Sequence, residues 1–233
     1  MNNWRRSIAL KFVHWLAPFC FTLGAQAFES NAVLHAWFRA QTNVHTWSAD
    51  VVQTRALKSL AQPLTARGRV WFAAPNRFRW ELGQPPQTLA VRQAEQMLVI
   101  YPRLNRAERY ALDAKATGPW RDALMLMEAG FSRSLAERES RFQIVSLRET
   151  NQLFELTLQP KTAAARRLIP QIKIACGTND FSLKVSELKF TDGSILRNEF
   201  TNAQINPQLD EALFSPPLGP DVKIVEPLGQ PGP

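Results

Sequence analysis

Cysteine and histidine are scarce in this chain, and their scarcity removes several classes of chemistry at once. With two cysteines and three histidines in 233 residues, there is little to build a metal centre from. No Cys-x-x-Cys, His-Glu-x-x-His, glycine-rich phosphate loop or Gly-x-Ser-x-Gly occurs. No run of apolar residues reaches the roughly 20 needed to span a bilayer as a helix. No internal repeat is present, and no dense lysine-arginine cluster interleaved with aromatics marks a nucleic-acid surface. Glycine is also sparse, with 10 glycines against 16 prolines. Together with 10% aromatics, that balance favours short strands and rigid turns over a helical bundle.

What is there begins with a leader. Arg5, Arg6 and Lys11 precede a short apolar run from Phe12 to Gly24, and Ala25-Gln26-Ala27 supplies small residues at the spacing of a cleavage site. Residues 1–27 are therefore expected to be a secretory signal peptide, cleaved after Ala27, and the chain to be exported. Pro18 argues against a buried helix in this stretch. The Arg5-Arg6 pair leaves the choice between the general secretory and twin-arginine routes open. Cleavage removes Cys20 and leaves Cys176 alone, so no internal disulfide can form. A lipid-anchored start at Cys20 would need small residues before it, where Ala17-Pro18-Phe19 stands. The exported chain keeps 25 basic and 20 acidic residues, a net charge of +5. Such a surface serves solubility and would also favour an anionic membrane face or an acidic partner.

The rest reads as a single domain over residues 28–225 with a Pro/Gly-rich tail at 226–233. Apolar content of 45% is enough for a large core. Ser30 is placed to cap an amphipathic helix with Val33, Leu34, Trp37, Phe38 and Gln41 on one face. Strand signals follow at Thr46–Leu57, Leu64–Ala73, Arg77–Leu82, Thr88–Arg92, Gln96–Tyr101 and Arg106–Leu112. Their connections are too short for parallel crossovers, so an antiparallel meander is expected. Gly118-Pro119 then opens a helical run that Gly130 closes, with a second short helix from Ser132 to Glu139. Strands resume at Arg141–Leu147, Gln152–Gln159, Pro170–Cys176, Phe181–Phe190 and Ser194–Thr201. The apolar parity switches inside Phe181–Phe190, which marks a bulge. The fold class is mainly β with helices (α+β). Ten or eleven strands are too many for one flat sheet, so it should curl into an incomplete antiparallel β-barrel, with helices available to cover its concave side. Helices packed there permanently would make an ordinary core; helices able to lift would make a lipid-sized cavity.

The most informative stretch is Gly68 to Trp80. Val70 and Phe72 alternate with Arg69 and Trp71, and after a turn at Ala74-Pro75-Asn76, Phe78 and Trp80 alternate with Arg77 and Arg79. Arginines on one side fix the register, because a slip of one residue would drive them into the apolar face. Val70, Phe72, Phe78, Trp80 and Leu82 therefore share a side. His35 and His45 read as ordinary helix and loop residues. Glu81, beside Trp80, has the residue type of a glycosidase acid but falls on the arginine face. The chain is read as a non-enzyme, with no catalytic residue, cofactor or metal; a periplasmic hydrolase is the remaining enzymatic alternative.

In order along the chain, the first helix, Trp47-Ser-Ala-Asp-Val-Val-Gln-Thr, the Pro75-Asn76-Arg77-Phe78-Arg79-Trp80 core, Leu158-Gln159-Pro160-Lys161 and Phe214-Ser-Pro-Pro-Leu-Gly-Pro-Asp-Val resemble the LolA-type periplasmic carriers of outer-membrane lipoproteins. The resemblance implies a monomeric carrier that takes acylated lipoproteins from an inner-membrane transporter to an outer-membrane receptor beneath a helical lid. It implies acyl-chain contacts from Val70, Phe72, Phe78, Trp80 and Leu82, with Leu124 and Met127 from a lid that also holds Trp120, Met125 and Leu126. Family members often carry an arginine before the turn proline that locks the empty lid; here that position is Ala74, and hydrophobic closure by Met125, Leu126 and Met127 is expected instead. A LolA-like carrier of another lipid, or a sensor of lipoproteins, is the alternative within the same fold.

Overall fold

The computed structural model describes residues 23–93, 95–112 and 139–226. Most of the expected signal peptide, up to Thr22, and the expected lid residues Trp120, Leu124, Met125, Leu126 and Met127 lie outside the described residues, as does nearly all of Ser132–Glu139.

Six strands form a first meander: β1 Thr46–Ala56, β2 Leu64–Ala73, β3 Arg77–Leu82, β4 Thr88–Arg92, β5 Gln96–Tyr101 and β6 Arg106–Ala111. Five form a second: β7 Phe142–Thr150, β8 Leu153–Pro160, β9 Gln171–Gly177, β10 Leu183–Lys189 and β11 Ile195–Ile205. A short β12, Lys223–Val225, completes one 12-stranded sheet in the order β12-β6-β5-β4-β3-β2-β1-β11-β10-β9-β8-β7. The meanders join where β1 pairs with β11, from Trp47 opposite Ile205 to Ala56 opposite Ile195. β12 and β7 stand at the two outer edges, so the sheet is open. This is the expected incomplete barrel with one strand more, and the extra strand breaks the all-antiparallel pattern, since β12 runs parallel to β6.

Local chemistry sets these elements. The β2–β3 ladder places Gly68 opposite Leu82, and a Cβ at Gly68 would come within 1.7 Å of the Glu81 carbonyl oxygen. Only glycine allows that approach. Gly83 turns β3 into β4 with φ +96°, in the left-handed region that glycine reaches without a Cβ clash. The parity switch expected in Phe181–Phe190 is a register shift between Leu183 and Val185, and a second shift falls in β1–β11 between Ser48 and Asp50. Such bulges sharpen the bend of a sheet.

The inner face carries the main core, drawn from both meanders: Trp47, Val51, Val70 and Phe72 on one side, Leu158, Ile172, Ile174 and Phe200 on the other. The first helix, α1 Leu23–Thr42, lies on this face with Leu34, Trp37 and Phe38 buried. Its start differs from expectation: Ser30 falls inside the helix, seven residues past the first helical position, and so is not its cap. An apolar void of about 10 Å³ between Val33, Leu34, Trp37 and Leu147, Phe154, Leu156, Cys176 shows how closely α1 seats on β7, β8 and β9.

The outer face holds a second cluster that alternation alone does not announce. Leu89, Leu98, Ile100 and Ala107 are buried there beneath Leu218 and Val222. The chain after β11 crosses this face as a strap. Arg77 pairs with Glu211 and stands 5.0 Å from the centre of the Phe214 ring. Arg79 donates to the Leu213 carbonyl at 3.0 Å, and Gln93 donates to that of Phe214 at 2.9 Å. Phe214 is 2% exposed. A six-residue helix, α2 Ala163–Leu168, joins β8 to β9 and is capped by the Thr162 hydroxyl, which accepts from the Ala165 N–H at 3.3 Å.

Candidate binding site

Register converts the hairpin sequence into two cross-strand rows on the inner face. Phe72 stands opposite Phe78, Phe78 opposite Arg92, Arg92 opposite Met97, and Met97 opposite Tyr110. Alongside, Val70 stands opposite Trp80, Trp80 opposite Ala90, and Ala90 opposite Val99. Val70, Phe72 and Phe78 are buried, at 1%, 7% and 8% exposure, while Trp80 and Leu82 are half-buried. All five hairpin residues singled out in the sequence therefore share the inner face.

The structure adds residues that the hairpin alone did not name. Phe200 of β11 meets Trp47 at 5.3 Å and Trp80 at 5.9 Å, both edge to face. β3 and β11 are separated by two strands, roughly 14 Å on a flat sheet, so the Trp80–Phe200 contact reflects curling. Trp47 was visible as the start of a strand, but its partnership with Phe200 depends on the long-range β1–β11 pairing. The Trp80 indole Nε1 is buried and meets no hydrogen-bond acceptor among the described residues.

Polar groups mark one side of this surface. The Tyr110 hydroxyl donates to Glu108 at 2.6 Å, and Arg106 donates to the same carboxylate at 2.7 Å. Burial, then the bond to Glu108, pushes the Tyr110 hydroxyl above its usual pKa. Burial also lowers the Arg92 guanidinium, with the charge of Arg141 adding to the effect.

The arginine face is where alternation placed it. Arg69 and Arg79 flank the Trp71 ring at 5.3 and 6.0 Å, and Arg79 donates from Nε to Glu81 at 2.6 Å. Glu81 is thereby held on the outer face. Ala74 is half-buried, and its N–H donates to the His45 carbonyl at 2.8 Å, tying the turn to the start of β1. His35 and His45 are both exposed. What the inner face offers is apolar surface with aromatic walls, suited to holding hydrocarbon.

A family model described as outer membrane lipoprotein carrier protein LolA matches residues 42–217. The chain belongs to the LolA family. An outer-membrane lipoprotein carrier protein of Nitrosospira multiformis is 30% identical over 182 residues, covering 77% of this chain and 83% of the relative. One from Coxiella burnetii is 25% identical over 167 residues, covering 67% and 70%. Among solved structures, a conserved protein from Thermus thermophilus superposes with a TM-score of 0.50 at 10% identity, covering 85% of this chain and 99% of that one. That likeness shows the fold alone. The LolA-family match spans the strands of both meanders and the strap as far as Pro217, so it takes in every strand residue of the inner face described above.

Proposed function

We propose that this LolA-family chain is a periplasmic carrier that shields the acyl chains of lipoproteins and passes them from the inner to the outer membrane. The observation that carries the reading is the inner face of an open sheet, lined by Val70, Phe72, Phe78 and Trp80 and continued to Trp47 and Phe200. Burying a methylene is worth about 0.8 kcal/mol, so a chain of roughly 15 methylenes exposes about 12 kcal/mol of apolar surface to water. A carrier must match most of that and not greatly exceed it, or the cargo would never leave. Leu82 completes the hairpin's contribution, and Leu124 and Met127, with Trp120, Met125 and Leu126, form the proposed lid over the cavity. The carrier domain is residues 28–225, exported with the first 27 residues removed, and it works as a monomer between an inner-membrane transporter and an outer-membrane receptor.

Native mass spectrometry of the protein purified from a periplasm tests this. Co-purifying lipoprotein or lipid, displaced by added triacylated lipopeptide, is the expected result. Turnover of ester or glycolipid substrates by the delipidated protein, with no retained lipid, would replace the carrier by a hydrolase.

A further inference from the structure

The two ends of the strands differ in charge and in how many large apolar residues they expose. At the end where β1 stops and β2 starts, the described connections are residues 57–63, 83–87, 102–105, 139–141, 161–170 and 190–194. They carry six cations, Lys58, Arg103, Arg141, Lys161, Arg166 and Arg167, against two anions, Glu139 and Asp192. Where the strap arrives there, Asp221 and Lys223 offset one another. The described connections at the other end, residues 43–45, 74–76, 93 and 95, 151–152 and 178–182, carry Glu95 and Asp180 and no lysine or arginine. Arg55, Arg67 and Lys189 add exposed charge where their strands reach the basic end. Leu60 at 44%, Leu64 at 54% and Leu104 at 69% are exposed at that same end, with Ile224 at 44% near them, while the other end has Ile205 at 49%.

We propose that this end of the sheet is a docking surface for anionic phospholipid membranes, with Leu60, Leu64 and Leu104 entering the interface and the surrounding cations facing the headgroups. The arrangement distinguishes a bilayer from other polyanions. Its leucines fall in two places, Leu60 and Leu64 at the β1–β2 connection and Leu104 on the β5–β6 connection, with the β3–β4 connection between them, whereas a protein partner calls for a contiguous buried patch with a polar rim. Binding of a single-stranded nucleic acid would call for aromatic platforms among the cations, and the one aromatic on these described connections, Phe190, packs against the core instead. A membrane is laterally continuous and accepts dispersed charges and isolated apolar tips in any registry. Such docking would set a carrier down on its donor or acceptor membrane, yet it stands on different residues from the acyl-binding surface and holds whether or not that surface takes lipoproteins.

The test is flotation of the full exported chain with vesicles of phosphatidylethanolamine and phosphatidylglycerol, against vesicles of phosphatidylcholine. Each lysine or arginine near an anionic surface is worth about a five-fold change in partitioning, so Arg55→Gln, Lys58→Gln and Arg103→Gln together should lower it by about 100-fold. Leu60→Ser with Leu64→Ser should lower it further, and added salt should weaken it. Arg39→Gln, on α1, is the control and should change nothing. Lipopeptide binding should be unaltered in the triple variant, which separates failure here from failure of the carrier reading. Equal partitioning onto neutral vesicles, or wild-type partitioning by the triple variant, would overturn the proposal.

Discussion

Phe78→Glu places a carboxylate in the middle of the inner face, and its consequences can be worked from register. Phe78 is 8% exposed, faces Phe72 on β2 and stands opposite Arg92 on β4. Directly opposed residues bring their Cβ atoms to about 5 Å, so the introduced carboxylate comes within reach of an ion pair with Arg92. Losing the aromatic ring from a core position costs about 3–5 kcal/mol, but the facing guanidinium spares the variant the further cost of a stranded buried charge. The fold should therefore survive with a lowered urea midpoint. Binding should not survive, because an acyl chain entering the face would have to strip water from that ion pair, a penalty of several kcal/mol and a loss of at least about 100-fold in affinity. The assay is titration with a fluorescent triacylated lipopeptide, beside far-UV dichroism and urea unfolding of the same samples. Adding Arg92→Leu should then destabilise the variant further by stranding the carboxylate. Unchanged lipopeptide affinity in a folded Phe78→Glu protein would refute the placement of the site, and no extra destabilisation from Arg92→Leu would refute the cross-strand pairing.

Phe214→Ala should cost about 3–5 kcal/mol in urea unfolding, because the ring is 2% exposed beneath Arg77, while lipopeptide affinity of the folded protein stays unchanged, the ring being on the outer face. Asp180 gives a pH signature: burial alone would raise its pKa, but hydrogen bonds from the Ser182 N–H and hydroxyl, with Lys184 nearby, outweigh that and hold it low. A depressed carboxylate stabilises the fold above its unfolded pKa of about 3.9 and loses that contribution as pH falls through the lower folded value. Asp180→Asn should accordingly be less stable than the parent at neutral pH, with the difference shrinking in acid; a difference independent of pH would contradict this. Ala74→Arg should tighten the empty state and slow lipopeptide uptake in stopped-flow measurements, and equal uptake rates with the introduced side chain touching the lid would remove the locking argument.

Much of this architecture was legible in the chain, and the reasons are physical. β2, β3, β4 and β5 have the bounds expected from alternation and turn residues, because a strand with one buried face writes its period into the sequence. The Val70–Trp80 face was legible for the same reason, with the arginines marking the opposite side. β12 was not, since Lys223–Val225 is too short to show a period and its parallel pairing with β6 is a tertiary effect. The outer cluster did leave a signal: Met97, Leu98, Val99 and Ile100 are all buried, and a continuous apolar run is the mark of a strand covered on both faces. The strap from Asp210 to Val222 supplies the outer cover, and only the folded chain shows that it returns there. Ser30 has the residue type of a cap, yet helix continues on both sides of it, back to the start of α1 at Leu23.

The two apolar faces of β4 and β5 set up the most direct test of the carrier account. A lipopeptide bearing a photoreactive group near the end of an acyl chain should, on irradiation, label the inner face at Phe72, Phe78, Trp80 or Val99, mapped by peptide mass spectrometry. Labelling confined to the outer cluster at Leu89, Leu98 and Ile100, or spread without preference over both faces, would contradict it.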